Sequence, residues 1–214
     1  MTEEIPLDDV SASVARSGIV AILRAKTADG FAAVADVLVE AGITAIEVTL
    51  TSQGATEALA GLRRQLPDTV VIGAGTVLTA GEASASVDVG ADFLVSPVLD
   101  PELVAGSSVP FYPGALTPTE IYSAMRAGAP VVKLFPAGGL GPAYLRDIRG
   151  PLPGARIMPT GGIKIEDVAD WLAAGAVAVG LGSPLIGDAA SGGDLRKLAA
   201  RARQAVSAVA IARS

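Results

Sequence analysis

The chain has 214 residues, half of them apolar and 18% charged, with a formal net charge of −6 and neither cysteine nor histidine. This composition can build a large core, and one domain over residues 1–214 is the simplest expectation. The acidic balance argues against a nucleic-acid surface, and the missing Cys and His remove disulfides, thiolate nucleophiles, imidazole bases and most zinc sites.

The N-terminus, MTEEIPLDDV, is acidic and lacks the basic-then-apolar order of a signal peptide. No run of about 18 apolar residues is free of charges and turn signals, so no transmembrane helix is expected. A cytoplasmic location is the default expectation. Residues 3–16 predict an extra N-terminal helix. Eight short apolar runs then follow: 18–24, 44–50, 69–75, 92–97, 109–114, 130–136, 155–162 and 176–182. Between most of them lie segments with helical spacing, such as FAAVADVLVEAG, ATEALAGLRRQ, PTEIYSAMRAG and IEDVADWLAAG. Three of these end in Ala-Gly, which reads as a helix C-cap. The tail, 191–213, has helical composition and predicts the last outer helix. The apolar runs are continuous rather than alternating, as parallel strands covered by helices require. Eight such units predict an α/β fold of the (β/α)8 TIM-barrel type with an extra N-terminal helix. The competing architecture is an open sheet with fewer strands. GAGTVL does not match G-x-G-x-x-G and offers little support for a dinucleotide fold.

In a barrel, catalytic groups lie at the C-terminal ends of the strands. The polar residues placed there are Arg24, Glu47 with Thr49, Thr76, Ser96, Lys133, Thr160 and Ser183. Of the four lysines, Lys26, Lys164 and Lys197 have polar or small neighbours, whereas Lys133 sits in PVVKLFP. A charged ammonium in apolar surroundings costs free energy unless it is paired or neutral. Side chains alternate along a strand, so Val131, Lys133 and Phe135 share a face, and an inward Lys133 would meet an inward Glu47. Two explanations remain open. One is a buried ion pair, which is often no more stabilising than apolar packing. The other is an amine nucleophile beside a proton-transferring carboxylate. A second constellation joins PTGGI (159–163) to GLGSPL (180–185), where glycines let backbone N–H groups approach a phosphate. The alternative is that these glycines only make tight turns.

These segments resemble the 2-keto-3-deoxy-6-phosphogluconate (KDPG) aldolase family, which also includes 4-hydroxy-2-oxoglutarate aldolases. GIVAILR, IEVTL, GAGTVL, FLVSP, YPGALTPTE, VVKLFPA, PTGGI and GLGSPL occur in family order from about residue 18 to 186. The resemblance implies that Lys133 is a Schiff-base lysine and Glu47 the general acid/base. It implies that Thr76 and Pro97 line a pyruvyl pocket, Phe135 walls the imine, and Thr160 contacts substrate. Gly161, Gly162, Gly182 and Ser183 match the phosphate site. The implied reaction is cleavage of KDPG to pyruvate and glyceraldehyde 3-phosphate, or of 4-hydroxy-2-oxoglutarate to pyruvate and glyoxylate. It needs no metal or organic cofactor. The implied assembly is a homotrimer. Many members carry Arg directly after E-V-T-L, where this chain has Thr51; Arg24 is placed to supply the cation instead. The rival functions are a 2-keto-3-deoxy-6-phosphogalactonate aldolase, a phosphosugar epimerase and a non-catalytic phosphosugar-binding barrel.

Overall fold

The computed structural model describes residues 7–214. The helix predicted over 3–16 is α1, Asp9–Ser17, whose start is set by Asp8 as N-cap, its side chain accepting from the Ser11 N–H. Residues 3–6 of that expectation lie outside the described residues.

Each apolar run contains a strand: β1 (Ile19–Leu23), β2 (Ala45–Thr49), β3 (Val71–Gly75), β4 (Phe93–Val95), β5 (Phe111–Tyr112), β6 (Gly114–Ala115), β7 (Val132–Leu134), β8 (Ile157–Pro159) and β9 (Val179–Leu181). The run 109–114 yields two of them because Pro113 brings no N–H to the ladder; its carbonyl still accepts from the Lys133 N–H at 2.9 Å. All the ladder pairings are parallel. Six strands form one sheet in the order β5-β4-β3-β2-β1-β9, and three form another, β6-β7-β8. An isolated parallel bridge pairs Thr160 with Gly180, between the ends of β8 and β9.

Helices alternate with the strands: α2 (Phe31–Glu40), α3 (Ala55–Gln65), α4 (Ala80–Asp88), α5 (Pro101–Gly106), α6 (Pro118–Arg126), α7 (Gly141–Arg149), α8 (Val168–Ala173), α9 (Ser183–Ile186) and α10 (Leu195–Ala212). The three Ala-Gly ends behave as C-caps: Gly42, Gly128 and Gly175 take φ of 99°, 96° and 98°, the left-handed region that favours glycine. Helices α4 and α6 start with capping boxes, Thr79 with Glu82 and Thr117 with Glu120. No helix among the described residues is long and apolar enough to cross a membrane.

Every strand residue is buried, and alternation divides them between two cores. Residues such as Ile19, Ala21 and Leu23 join the helices in the larger cluster. The intervening Val20 joins Ala45, Val71, Phe93, Val95, Tyr112, Val131, Met158, Ala178 and Val14 of α1 in the smaller one. Phe93 and Tyr112 stack there, ring centroids 5.2 Å apart. Gly73 leaves room for the Phe93 ring, which a Cβ at that position would strike. The Tyr112 hydroxyl is buried but paired with Ser11 Oγ at 2.9 Å, which fixes α1 beneath the strands. Burial pushes the Tyr112 hydroxyl well above the ordinary tyrosine value, and the Ser11 bond opposes that shift.

Candidate active site

Two residues further along the same strands the inward side chains change character. Val131 gives way to Lys133, Ala45 to Glu47, Met158 to Thr160 and Ala178 to Gly180. Lys133, Thr160 and Gly180 meet a cavity of about 420 Å³ whose other walls include Ile22, Arg24, Phe135, Gly161, Gly162, Gly182 and Ser183; Glu47 is not on its wall and reaches it through Lys133.

Lys133 lies in the middle of β7, paired in register with Gly114 on one side and Met158 on the other. It is 4% exposed. Its Nζ stands 5.3 Å from the centroid of the Phe135 ring, within cation–π range. Glu47 lies in β2, in register with Ile22 of β1 and Gly73 of β3, and is fully buried. Its Oε1 is 3.9 Å from Lys133 Nζ. That separation is an ion-pair contact and too long for a hydrogen bond. Neither Glu47 oxygen has a hydrogen-bond partner. A purely structural buried pair needs its remaining lone pairs satisfied to offset desolvation. An unsatisfied buried carboxylate is rare in folded proteins and demands an explanation. Here its reactive neighbour is a buried amine that opens onto a cavity.

Arg24 follows β1, is exposed, and donates from Nη2 to Thr76 Oγ1 at 3.4 Å. Thr76 follows β3 with φ of 63°, an outlier for a β-branched residue and the kind of strain that gathers at functional sites. Thr76 and Pro97 do not line the cavity. Thr76 reaches it only through Arg24. Pro97 packs its carbonyl against Gly114, whose missing side chain permits the approach. Two other candidates hold backbone instead: Thr49 donates to the Leu23 carbonyl at 3.0 Å, and Ser96 accepts from the Val98 N–H at 3.3 Å. Thr51 turns its hydroxyl toward Thr49 Oγ1 at 3.5 Å.

Gly161 and Gly162 take φ of 90° and 74°, and the Phe135 ring fills the space where Gly161 would carry a Cβ. Thr160 likewise occupies the space above Gly180. Sequence reasoning gave Gly75 no role and took Gly180 only as part of the GLGSPL phosphate loop, although glycines at the inward positions of VIGAG and AVAVGLG were a signal that something bulky lies across them. The ionisable side chains on the cavity wall, Arg24 and Lys133, are both basic, so the site suits an anion. No group of three or more acidic side chains among the described residues is placed to hold a metal ion.

The family described as "Aldolase: KDPG and KHG aldolase" matches residues 10–200. A probable 2-dehydro-3-deoxy-6-phosphogalactonate aldolase of Rhizobium meliloti (strain 1021) is 38% identical over 195 residues, covering 89% of this chain and 92% of the relative. A 2-dehydro-3-deoxy-phosphogluconate aldolase of Treponema pallidum (strain Nichols) is 37% identical over 179 residues, covering 81% and 85%. Among solved structures, the KDPG aldolase of Legionella pneumophila, with pyruvate captured at low pH as a covalent carbinolamine intermediate, aligns with a TM-score of 0.82 and 30% identity over 92% of this chain and 97% of that one.

Proposed function

Because the chain belongs to the KDPG and KHG aldolase family, and is therefore an aldolase and a lyase, we propose that it is a class I enzyme. On this reading it cleaves 2-keto-3-deoxy-6-phosphogluconate to pyruvate and glyceraldehyde 3-phosphate through an imine on Lys133. The observation that carries this reading is the pairing of a buried lysine with a buried, unpartnered carboxylate 3.9 Å away, beside an anion-suited cavity.

The neutral amine of Lys133 attacks the C2 carbonyl to give a carbinolamine, which loses water to form a protonated imine. Glu47, directly or through a water, takes the proton of the C4 hydroxyl. The C3–C4 bond breaks, its electron pair neutralises the imine as an enamine, and the aldehyde leaves. Glu47 returns a proton to C3 of the enamine, and hydrolysis of the imine frees pyruvate and the lysine. Phe135 walls the imine and Thr160 contacts substrate, while Thr76 and Pro97 shape the pyruvyl end from behind the cavity wall. The phosphate would rest on Gly161, Gly162, Gly182 and Ser183, with Arg24 supplying a cation. The phosphorylated substrates in the relatives' names support that assignment.

The same reading closes the two sheets into one (β/α)8 barrel, with β5 and β6 as one strand interrupted at Pro113 and the Thr160–Gly180 bridge as the second seam. A crystal structure with an open edge at β8 or β9 would sink this. It also takes the working unit as a cytoplasmic homotrimer; a one-chain mass in sedimentation at micromolar concentration would count against the trimer.

The 38% identical Rhizobium relative favours a second reading, the C4-epimeric phosphogalactonate substrate. Turnover of the two C4 epimers and of 4-hydroxy-2-oxoglutarate separates the possibilities. The primary reading expects the gluconate epimer to give the highest kcat/KM, and a higher value for the galactonate epimer would transfer the assignment. Borohydride reduction with pyruvate should fix one adduct per chain on Lys133. A chain that stays unmodified would contradict the imine mechanism for every substrate in the panel.

A further inference from the structure

Glu47 has no hydrogen bond to hold its carboxylate, so packing must set its position. The neighbouring strand β3 provides that packing. In register, Glu47 stands beside Gly73 and Thr49 beside Gly75. A Cβ at Gly75 would overlap Glu47 Oε1 and lie 2.5 Å from its Cδ and 2.6 Å from its Cγ. The carboxylate end of Glu47 therefore lies across the Gly75 backbone, in the volume that any L side chain at 75 would take. Glycine is not needed there for the backbone: Gly75 is not among the residues at positive φ. Its contribution is space. The glycine one inward step earlier, Gly73, makes room in the same way for the Phe93 ring, which belongs to the apolar layer. The two glycines of VIGAG thus have separate tasks, one for the core and one for the acid/base.

We propose that Gly75 is a positioning residue for proton transfer, its missing side chain seating the Glu47 carboxylate against Lys133. This rests on the acid/base reading of Glu47. In Gly75→Ala, the part best able to yield is the end of the flexible Glu47 side chain, not the parallel ladder of β3. The fold should therefore persist while the carboxylate leaves its place beside the amine.

The test is exchange of the pyruvate methyl protons with deuterium oxide, followed by NMR. It reports proton transfer to and from the enamine without any aldehyde. The variants are Gly75→Ala, Glu47→Ala, their combination and Glu47→Gln, each checked by circular dichroism. Gly75→Ala should slow exchange about 100-fold, within the range of a lost general base. In the Glu47→Ala background the side chain ends at Cβ and nothing lies across position 75, so the same alanine should cost less than about threefold. An equal cost in both backgrounds, or Gly75→Ala exchanging within about twofold of the parent while Glu47→Gln is slow, overturns this inference alone. Glu47→Gln exchanging at the parental rate overturns the acid/base reading, and the role of Gly75 with it. Should Gly75→Ala fail to fold, the combined variant decides. A folded combined variant with exchange equal to that of Glu47→Ala supports the role, and loss of its fold as well shows that Gly75 serves the strand and overturns it.

Discussion

Two levels of the same inward strand face behave in opposite ways. The lower level holds Val20, Ala45, Val71, Phe93, Tyr112, Val131, Met158 and Ala178, and the Tyr112 hydroxyl there is paired with Ser11. The upper level, one inward step along, holds Lys133, Glu47, Thr160 and a set of glycines, and both Glu47 oxygens lack partners. Both levels contain a buried polar side chain. The difference is satisfaction. A buried polar group that finds its partner within the fold contributes to stability, whereas one that lacks a partner needs another reason to be there, and beside a buried amine at a cavity that reason is the proposed proton transfer. Substitutions at the two levels should therefore divide cleanly, with activity lost above and stability lost below.

The largest effect is expected from Lys133→Met. Turnover should fall to background and pyruvate should no longer be trapped by borohydride, because the proposed nucleophile is gone. The circular dichroism spectrum should be kept. An unfolded variant would break the contrast, since removing one partner of a structural buried pair costs about 3–5 kcal/mol.

Arg24→Ala should have an intermediate effect. Thr51 lacks the charge and the guanidinium fork needed to grip an anion, so Arg24 is the cation at this end of the cavity. Losing one charge-assisted hydrogen bond, roughly 1.5–3 kcal/mol, predicts a drop of about ten- to over a hundredfold in kcat/KM. Melting should barely change. Steady-state kinetics close to those of the parent would remove Arg24 from the site.

Tyr112→Phe should have the smallest effect on catalysis, with turnover unchanged. It should lose about 1–3 kcal/mol of stability near neutrality, because Ser11 is left buried without its partner. Burial raises the folded-state value of Tyr112 above the ordinary 10.0. Folded protein therefore keeps a proton that the unfolded chain releases. The stability this represents is fully present below pH 10.0 and is lost as pH rises from there toward the folded value. Denaturant melts at about pH 8 and about pH 11 should show the parent losing more stability with alkali than the variant. A gap between the two proteins that widens above pH 10.0 would contradict this account.

Much of this protein is decided by local rules that the sequence carries openly. Continuous apolar runs are buried parallel strands because both faces are covered, and Ala-Gly ends are helix stops because glycine alone takes φ near 98° without strain. Lys133 stands out because an amine inside PVVKLFP conflicts with its neighbours, and such conflicts mark sites. The same local rules carried less weight where chain distance is long. The start of α1 and its seat beneath the strands depend on Asp8 and on Ser11 meeting Tyr112, 101 residues away. The run with Pro113 divides into two strands, and the polar residues Thr49 and Ser96 turn out to brace backbone. Thr76 and Pro97 stand behind the cavity wall, not in it. Only tertiary structure brings Glu47 to 3.9 Å from Lys133, leaves its oxygens unpartnered and lays its carboxylate over Gly75. The physical reason is that strand periodicity states which face a side chain takes, but not which residue of another strand stands opposite it. That is decided by register, and register is a property of paired strands rather than of either strand alone.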